Sequence, residues 1–274
     1  MAGDRRQRKH LGFNRPAHRI APLRNKRRSV YVNTIVRHGD NNPLLTPRVC
    51  CLCGLFGSLL FLAGDMLFYG SATSGADFHA YREMATHSTS RLIIGGALGP
   101  VAALFSALGM GIFYATAKPA GARLGGAASF LLASTILIGG AYHAVFTNFG
   151  FASKISDEFV RQTLLNQVAS LWTAISYPMY AAGIVGSLAV YFLVLSGRSH
   201  LPKWLLIFLP TILSLASSVF RSYFLLLPPP IGGLIRGGWI NGCFVLFFAI
   251  CTIVIWRLES TGPADADGAP LASR

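Results

Sequence analysis

The chain has 274 residues, 53% hydrophobic and 12% charged, with a mean hydropathy of +0.50 and a formal net charge of +14. Soluble domains carry roughly a quarter charged residues, so this composition excludes an ordinary water-soluble globule. The positive charge is not a nucleic-acid signal, because residues 1–48 hold 12 of the 24 Lys and Arg against Asp4 and Asp40, while the rest of the chain holds 12 basic against 8 acidic groups.

Residues 1–48 are rich in Arg, Asn, Pro and His without an apolar period, which predicts a disordered basic tail. An organelle transit peptide is the alternative, since the stretch is acid-poor and Arg-rich, but Ser29 is its lone serine. A helix needs about 20 apolar residues to cross hydrocarbon. Six segments reach that length: residues 49–70, 92–117, 124–146, 165–195, 204–227 and 234–256. The fold class expected is therefore all-α, a polytopic bundle of six transmembrane helices over residues 49–257. A disordered tail follows over 258–274. Gly70-Ser71-Ala72 would pass as a signal-peptidase site, but the long preceding tail and Asp65 within the apolar run argue against cleavage.

Basic residues in short loops set orientation. The N-terminal tail, Lys118, Arg123, Arg198, Lys203 and Arg257 lie on one side, which makes it and both termini cytoplasmic. Beyond the tail the bias is slight, five basic residues against Arg82, Arg91, Lys154, Arg161 and Arg236 opposite. The expected location is a membrane, taken as the bacterial cytoplasmic membrane. Cys50, Cys51, Cys53, Cys243 and Cys251 lie in or beside spans without zinc-ligand spacing, so no metal or other cofactor is expected. The first three sit where S-acylation occurs, or simply begin a helix.

Gly95-x-x-x-Gly99, Gly109, Gly111, Gly125, Gly126, Gly139, Gly140, Gly183 and Gly186 predict close helix contacts. Pro178 and Pro210 should kink spans four and five. The few polar side chains in the spans are the candidate site. Asp65 is the sole acid within a span, with Tyr69 four residues on and so on the same face. His143 is the sole histidine within a span and follows Gly139 and Gly140. Arg221 ends a stripe with Ser214, Ser217 and Ser218; span four carries Asn166, Ser170, Thr173, Tyr177 and Tyr180 as a polar seam expected to face the bundle interior. Asn241 and Arg91 complete a candidate ligand-binding layer of Asp65, Tyr69, Arg91, His143, Tyr177, Arg221 and Asn241. Ionisable groups at membrane depth are costly unless paired or wetted. They therefore mark either a pocket or a structural ion pair such as Asp65 with Arg221 or Arg91. The layer is neutral to positive, which suits an anionic or carbonyl-bearing amphiphile.

The Gly64-Asp65…Tyr69, Gly140-Ala141-Tyr142-His143 and Gly238-Trp239-Ile240-Asn241 elements resemble bacterial multi-pass proteins known as domains of unknown function, over roughly residues 50–256. That resemblance implies no activity. Zinc hydrolases of the ceramidase and progestin-receptor-like group need several intramembrane histidines, which this chain lacks. Sterol-isomerase-like proteins use acids and a histidine without metal, chemistry that Asp65 and His143 are equipped to imitate. Three functions stay open: binding or transport of a small amphiphile or lipid in the non-cytoplasmic half, a structural or accessory role for a buried ion-pair layer, and metal-free acid–base catalysis by Asp65 and His143. The partners expected are membrane lipids and a small amphipathic ligand, with no nucleic acid.

Overall fold

The computed structural model describes residues 46–70 and 73–260. The tails expected over 1–48 and 258–274 lie almost entirely outside it. The described residues form α-helices and short 3-10 turns, with no strand. They are α1 (Pro47–Tyr69), α2 (Ala80–Thr86), α3 (Thr89–Gly109), α4 (Ile112–Ala115), α5 (Ala122–Ala152), α6 (Glu158–Leu195), α7 (Pro210–Leu225) and α8 (Ile231–Ser260).

The long helices start where capping chemistry permits. Thr46, Ser88 and Asp157 each accept a hydrogen bond from the backbone N–H three residues on, at the starts of α1, α3 and α6. Pro47 and Pro210 occupy first helical turns, where a missing N–H costs nothing.

The helices stand in an open row, α6–α5–α3–α1–α8–α7, each packed on its neighbour. The shared faces of α1, α3 and α5 are cut by glycine. A Cβ at Gly109 would lie 2.4 Å from the Gly54 Cα, and one at Gly99 would lie 3.0 Å from the Gly140 carbonyl oxygen. These helices therefore meet backbone to backbone. At the row's free ends α6 and α7 barely touch.

Bonds between loops show which helix ends lie together. Lys118 N–H donates to the Arg198 carbonyl and His200 N–H to the Thr116 carbonyl, joining the end of α4 to the end of α6. Arg48 stacks over the Trp256 ring at 5.2 Å, so α1 begins where α8 finishes. This inner end carries Arg48, Lys118, Arg198, Lys203 and Arg257. At the opposite, outer end Gly75 N–H donates to the Leu227 carbonyl and Gly233 N–H to the Thr73 carbonyl.

Five helical segments are long and apolar enough to cross a membrane: Pro47–Tyr69, Thr89–Ala115, Pro119–Ala152, Glu158–Leu195 and Ile231–Leu258. The fifth predicted span is not a single helix. Pro210 does not kink it from within but begins it, after a 3-10 turn at Lys203–Phe208. The 16 residues of α7 rise about 24 Å, short of the ~30 Å of hydrocarbon. The chain still runs from His200 at the inner end to Leu227 at the outer end, as a broken element. Pro178 lies inside α6 as expected, and Pro100 lies inside α3.

The inner half is densely filled. Cys50, Phe113, Leu132, Val194, Leu206 and Phe247 belong to one buried cluster there. Above it, α7 beyond Pro210 has no buried side chain among the described residues.

Candidate functional site

The seven candidate residues separate into three places. Asp65, Tyr69, His143 and Asn241 come together. The carboxylate of Asp65 accepts from the Tyr69 hydroxyl at 3.1 Å and from the Asn241 amide at 2.7 Å. The His143 Nδ1 lies 3.8 Å from the Asp65 Oδ1. Asp65 and His143 are 4% and 7% exposed. Glycine makes room for both. A Cβ on Gly64 would lie 2.6 Å from the His143 Nε2, and one on Gly99 would lie 2.8 Å from its Cβ. The imidazole is held between the rings of Phe61 and Phe68, with centroids 5.6 and 4.8 Å away. Tyr69 lies against Gly237 of α8. The knot thus ties α1 to α5 and α8, and its acid is satisfied by hydrogen bonds rather than by a cation.

Arg91 is elsewhere. Its guanidinium donates to the carbonyls of Leu67 and Met66, both at 2.8 Å, and of Gly70 at 3.2 Å. It therefore terminates α1, whose last carbonyls have no helical partner, and the expected Asp65–Arg91 pair does not form. Nor does Asp65–Arg221. Among the described residues Arg221 makes no ion pair, and it is exposed. It does feel Arg236 of α8, so it lies on the α8 side of α7.

Tyr177 and Arg221 belong to a groove between α6 and α7. The polar seam on α6 is covered only in part: Tyr177 is 70% and Tyr180 53% exposed, while Tyr180 also reaches Tyr142 of α5. Its direction is nevertheless fixed. Tyr191 donates to the Leu206 carbonyl in the turn before α7. Thr173 stands eighteen residues earlier, about five full turns, and so shares that face. The seam points toward α7 where no helix fills the space. On α7, Ser214 and Arg221 follow Thr211 at helical spacing. Thr211 and Pro210 line a cavity of about 50 Å³ with Gly183, Phe113, Leu132 and Phe244. The Thr211 hydroxyl there is buried without a hydrogen-bond partner among the described residues. The two polar stripes therefore rise from one largely apolar cavity and flank the groove above it. Leu215 and Val219, on the ridge of α7 that continues from Thr211, are exposed and apolar, so the groove opens sideways toward lipid.

Aromatic residues join knot and groove, and the sequence reading missed them. Tyr142 stacks on Trp172 at 4.7 Å and is an electrostatic neighbour of both Tyr69 and Tyr180. Phe146 touches Tyr69 and Trp172. The spacing Tyr142, Phe146, Phe149 was the available signal, since steps of four and three residues place them on one face of α5. Asn241 lies ten residues into α8, which begins at Ile231.

At the outer rim α2 closes over α5. Tyr81 stacks on Phe149 at 4.5 Å, and the Lys154 ammonium donates to the His87 carbonyl. Partial burial, with Arg91 and Lys154 nearby, holds the His87 imidazole below the usual histidine range, against the pull of Glu83. Among the described residues no three His, Cys, Asp or Glu side chains gather to hold a metal.

Residues 40–257 match a family of unknown function (DUF6796). The chain belongs to that family. With its apolar helices it is an integral membrane protein. No curated protein and no solved structure matches it.

Proposed function

We propose that this protein binds a small amphiphile in the groove between α6 and α7. We further assign it to the bacterial cytoplasmic membrane, with the basic inner end facing the cytoplasm. One observation supports the binding reading: the polar seam of α6 and the polar residues of α7 both rise from the level of one apolar cavity lined by Gly183 and Thr211, where the two helices barely touch. A groove that only separated helices would be lined like the lipid-facing sides, which here are Leu, Val and Ile. Polar groups along one wall, aromatic rings beside them and an apolar floor match a ligand with a polar head and an apolar body.

A structural role is the second reading for the knot alone. Asp65 and His143 are buried, neither lines the cavity, and their contacts with Asn241 and with each other join α1 to α8 and α5. Acid–base catalysis keeps its geometric minimum, a 3.8 Å approach of Asp65 to His143, but the pair is roofed by Phe61 and Phe68. The knot is best read as the fixture that holds α8, and α7 through it, at its distance from α6.

The test fills the groove. Thr173→Trp and Ser214→Trp each add a large ring to one wall. Amphiphile recovered per folded chain by mass spectrometry is expected to fall in both. Recovery equal to that of the wild type in both would dismiss the groove as the site.

A further inference from the structure

We infer that the groove's ligand is a long-chain anionic lipid of the surrounding bilayer, its head group at Arg221 and its chain running down to the cavity above Phe113 and Phe244; this rests on the binding reading above. Three observations define that class. The first is charge. Arg221 is exposed and makes no ion pair among the described residues, and its nearest charged neighbour on α8 is Arg236. Arg236 is already committed, donating at 2.5 Å to the Gly75 carbonyl and stacking at 5.4 Å over Phe78. Two cations at one rim favour an anion, and the free guanidinium offers paired donors to carboxylate or phosphate oxygens.

The second is length. Arg221 and Thr211 are ten residues apart on one helix, about 15 Å of rise. A ligand that satisfies the arginine and also fills the cavity must bridge that distance. A long acyl chain does so; a small polar metabolite does not.

The third is access. Both walls of the groove carry exposed apolar side chains, Ile184 and Leu188 on α6 and Leu215 and Val219 on α7. The opening therefore faces hydrocarbon, and a lipid can enter sideways without leaving the membrane. The wall between mouth and floor grades from Arg221 and the Tyr177 and Tyr180 rings to Gly183 and Leu132, the same order as head group, interface and chain in a lipid.

The full chain in neutral detergent is offered equal amounts of phosphatidylglycerol and phosphatidylcholine with matched chains, and bound lipid is counted by native mass spectrometry. Phosphatidylglycerol is expected in about fivefold excess, the worth of one basic residue near a membrane surface. Arg221→Gln should bring the two to parity, Arg221→Lys should retain part of the excess, and Arg123→Gln at the inner end should change nothing. Glycerol phosphate, a head group without chains, should not displace the lipid. Parity in the wild type, or an undiminished excess in Arg221→Gln, overturns the charge assignment; if Ser214→Trp still expels lipid, the groove remains a binding site. Displacement by glycerol phosphate overturns the length argument. Lipid that is retained equally in Ser214→Trp overturns the groove itself.

Discussion

At the crossings of α1, α3 and α5 the helices touch through their backbones, whereas α6 and α7 stand apart with polar side chains between them. The first region has glycine wherever a neighbour comes close and a single buried acid whose lone pairs are taken by Tyr69 and Asn241. The second has Tyr177, Tyr180 and Arg221 exposed. Both regions are rich in the polar residues that a membrane span usually avoids. In one they are consumed by holding helices together; in the other they are left available. The difference teaches that polarity within a span marks an interior, and only contacts reveal whether that interior is filled by protein.

The comparison is broken most severely by adding one methyl group to the tight region. Gly109→Ala forces a Cβ against the Gly54 backbone, which has no side chain to move aside. A loss of about 3 kcal/mol is expected, the upper part of the overpacking range. Gly242→Ala, with nothing within 4 Å of the new Cβ, should be neutral or slightly stabilising. Thermal melting in detergent separates the two; equal melting would mean the crossings are looser than described.

Removing the buried acid comes next. Asp65→Ala leaves the Tyr69 hydroxyl and the Asn241 amide without their acceptor, at a cost of about 2 kcal/mol. The expected signature is lower melting temperature and lower abundance together. A variant of unchanged stability would show that the knot holds nothing.

The open region should respond in the opposite sense. Tyr177→Ala and Arg221→Gln break no side-chain hydrogen bond among the described residues, so stability should stay within about 0.5 kcal/mol of the wild type. A large loss of stability in either would reassign the groove to the fold.

Much of this division was legible in the sequence, and its limits are physical. The spacing of Asp65 and Tyr69 gave their shared face, and Gly64 gave the close approach beside them. The Gly140 notch likewise receives the backbone of α3. Charge alone suggested arginine as Asp65's partner, but Arg91 was drawn to the open carbonyls at the end of α1. The α6 seam was recognisably polar, yet a polar stripe looks the same in sequence whether a helix or a ligand covers it. The break at Leu209-Pro210 was hidden because apolar residues continue across it; a proline inside a span and a proline that begins a helix differ only in the turn before it.

The smallest expected effect lies at the rim. The His87 imidazole is held below the usual histidine range when folded, so the unfolded chain binds the proton more readily. Its contribution to stability is fully present above about pH 6.5 and is lost as the pH falls through the ordinary histidine value toward the lower folded one. His87→Gln should flatten that part of the melting profile slightly. An unchanged profile would remove His87 as its source.

The division of labour between knot and groove is tested most directly by counting bound amphiphile per folded chain in Asp65→Asn and Arg221→Gln side by side. The account predicts that Asp65→Asn, though less stable, keeps its amphiphile and its anionic preference, while Arg221→Gln, though stable, loses the preference for anionic lipid. The reverse pattern, with amphiphile lost in Asp65→Asn and the anionic preference undiminished in Arg221→Gln, would contradict it.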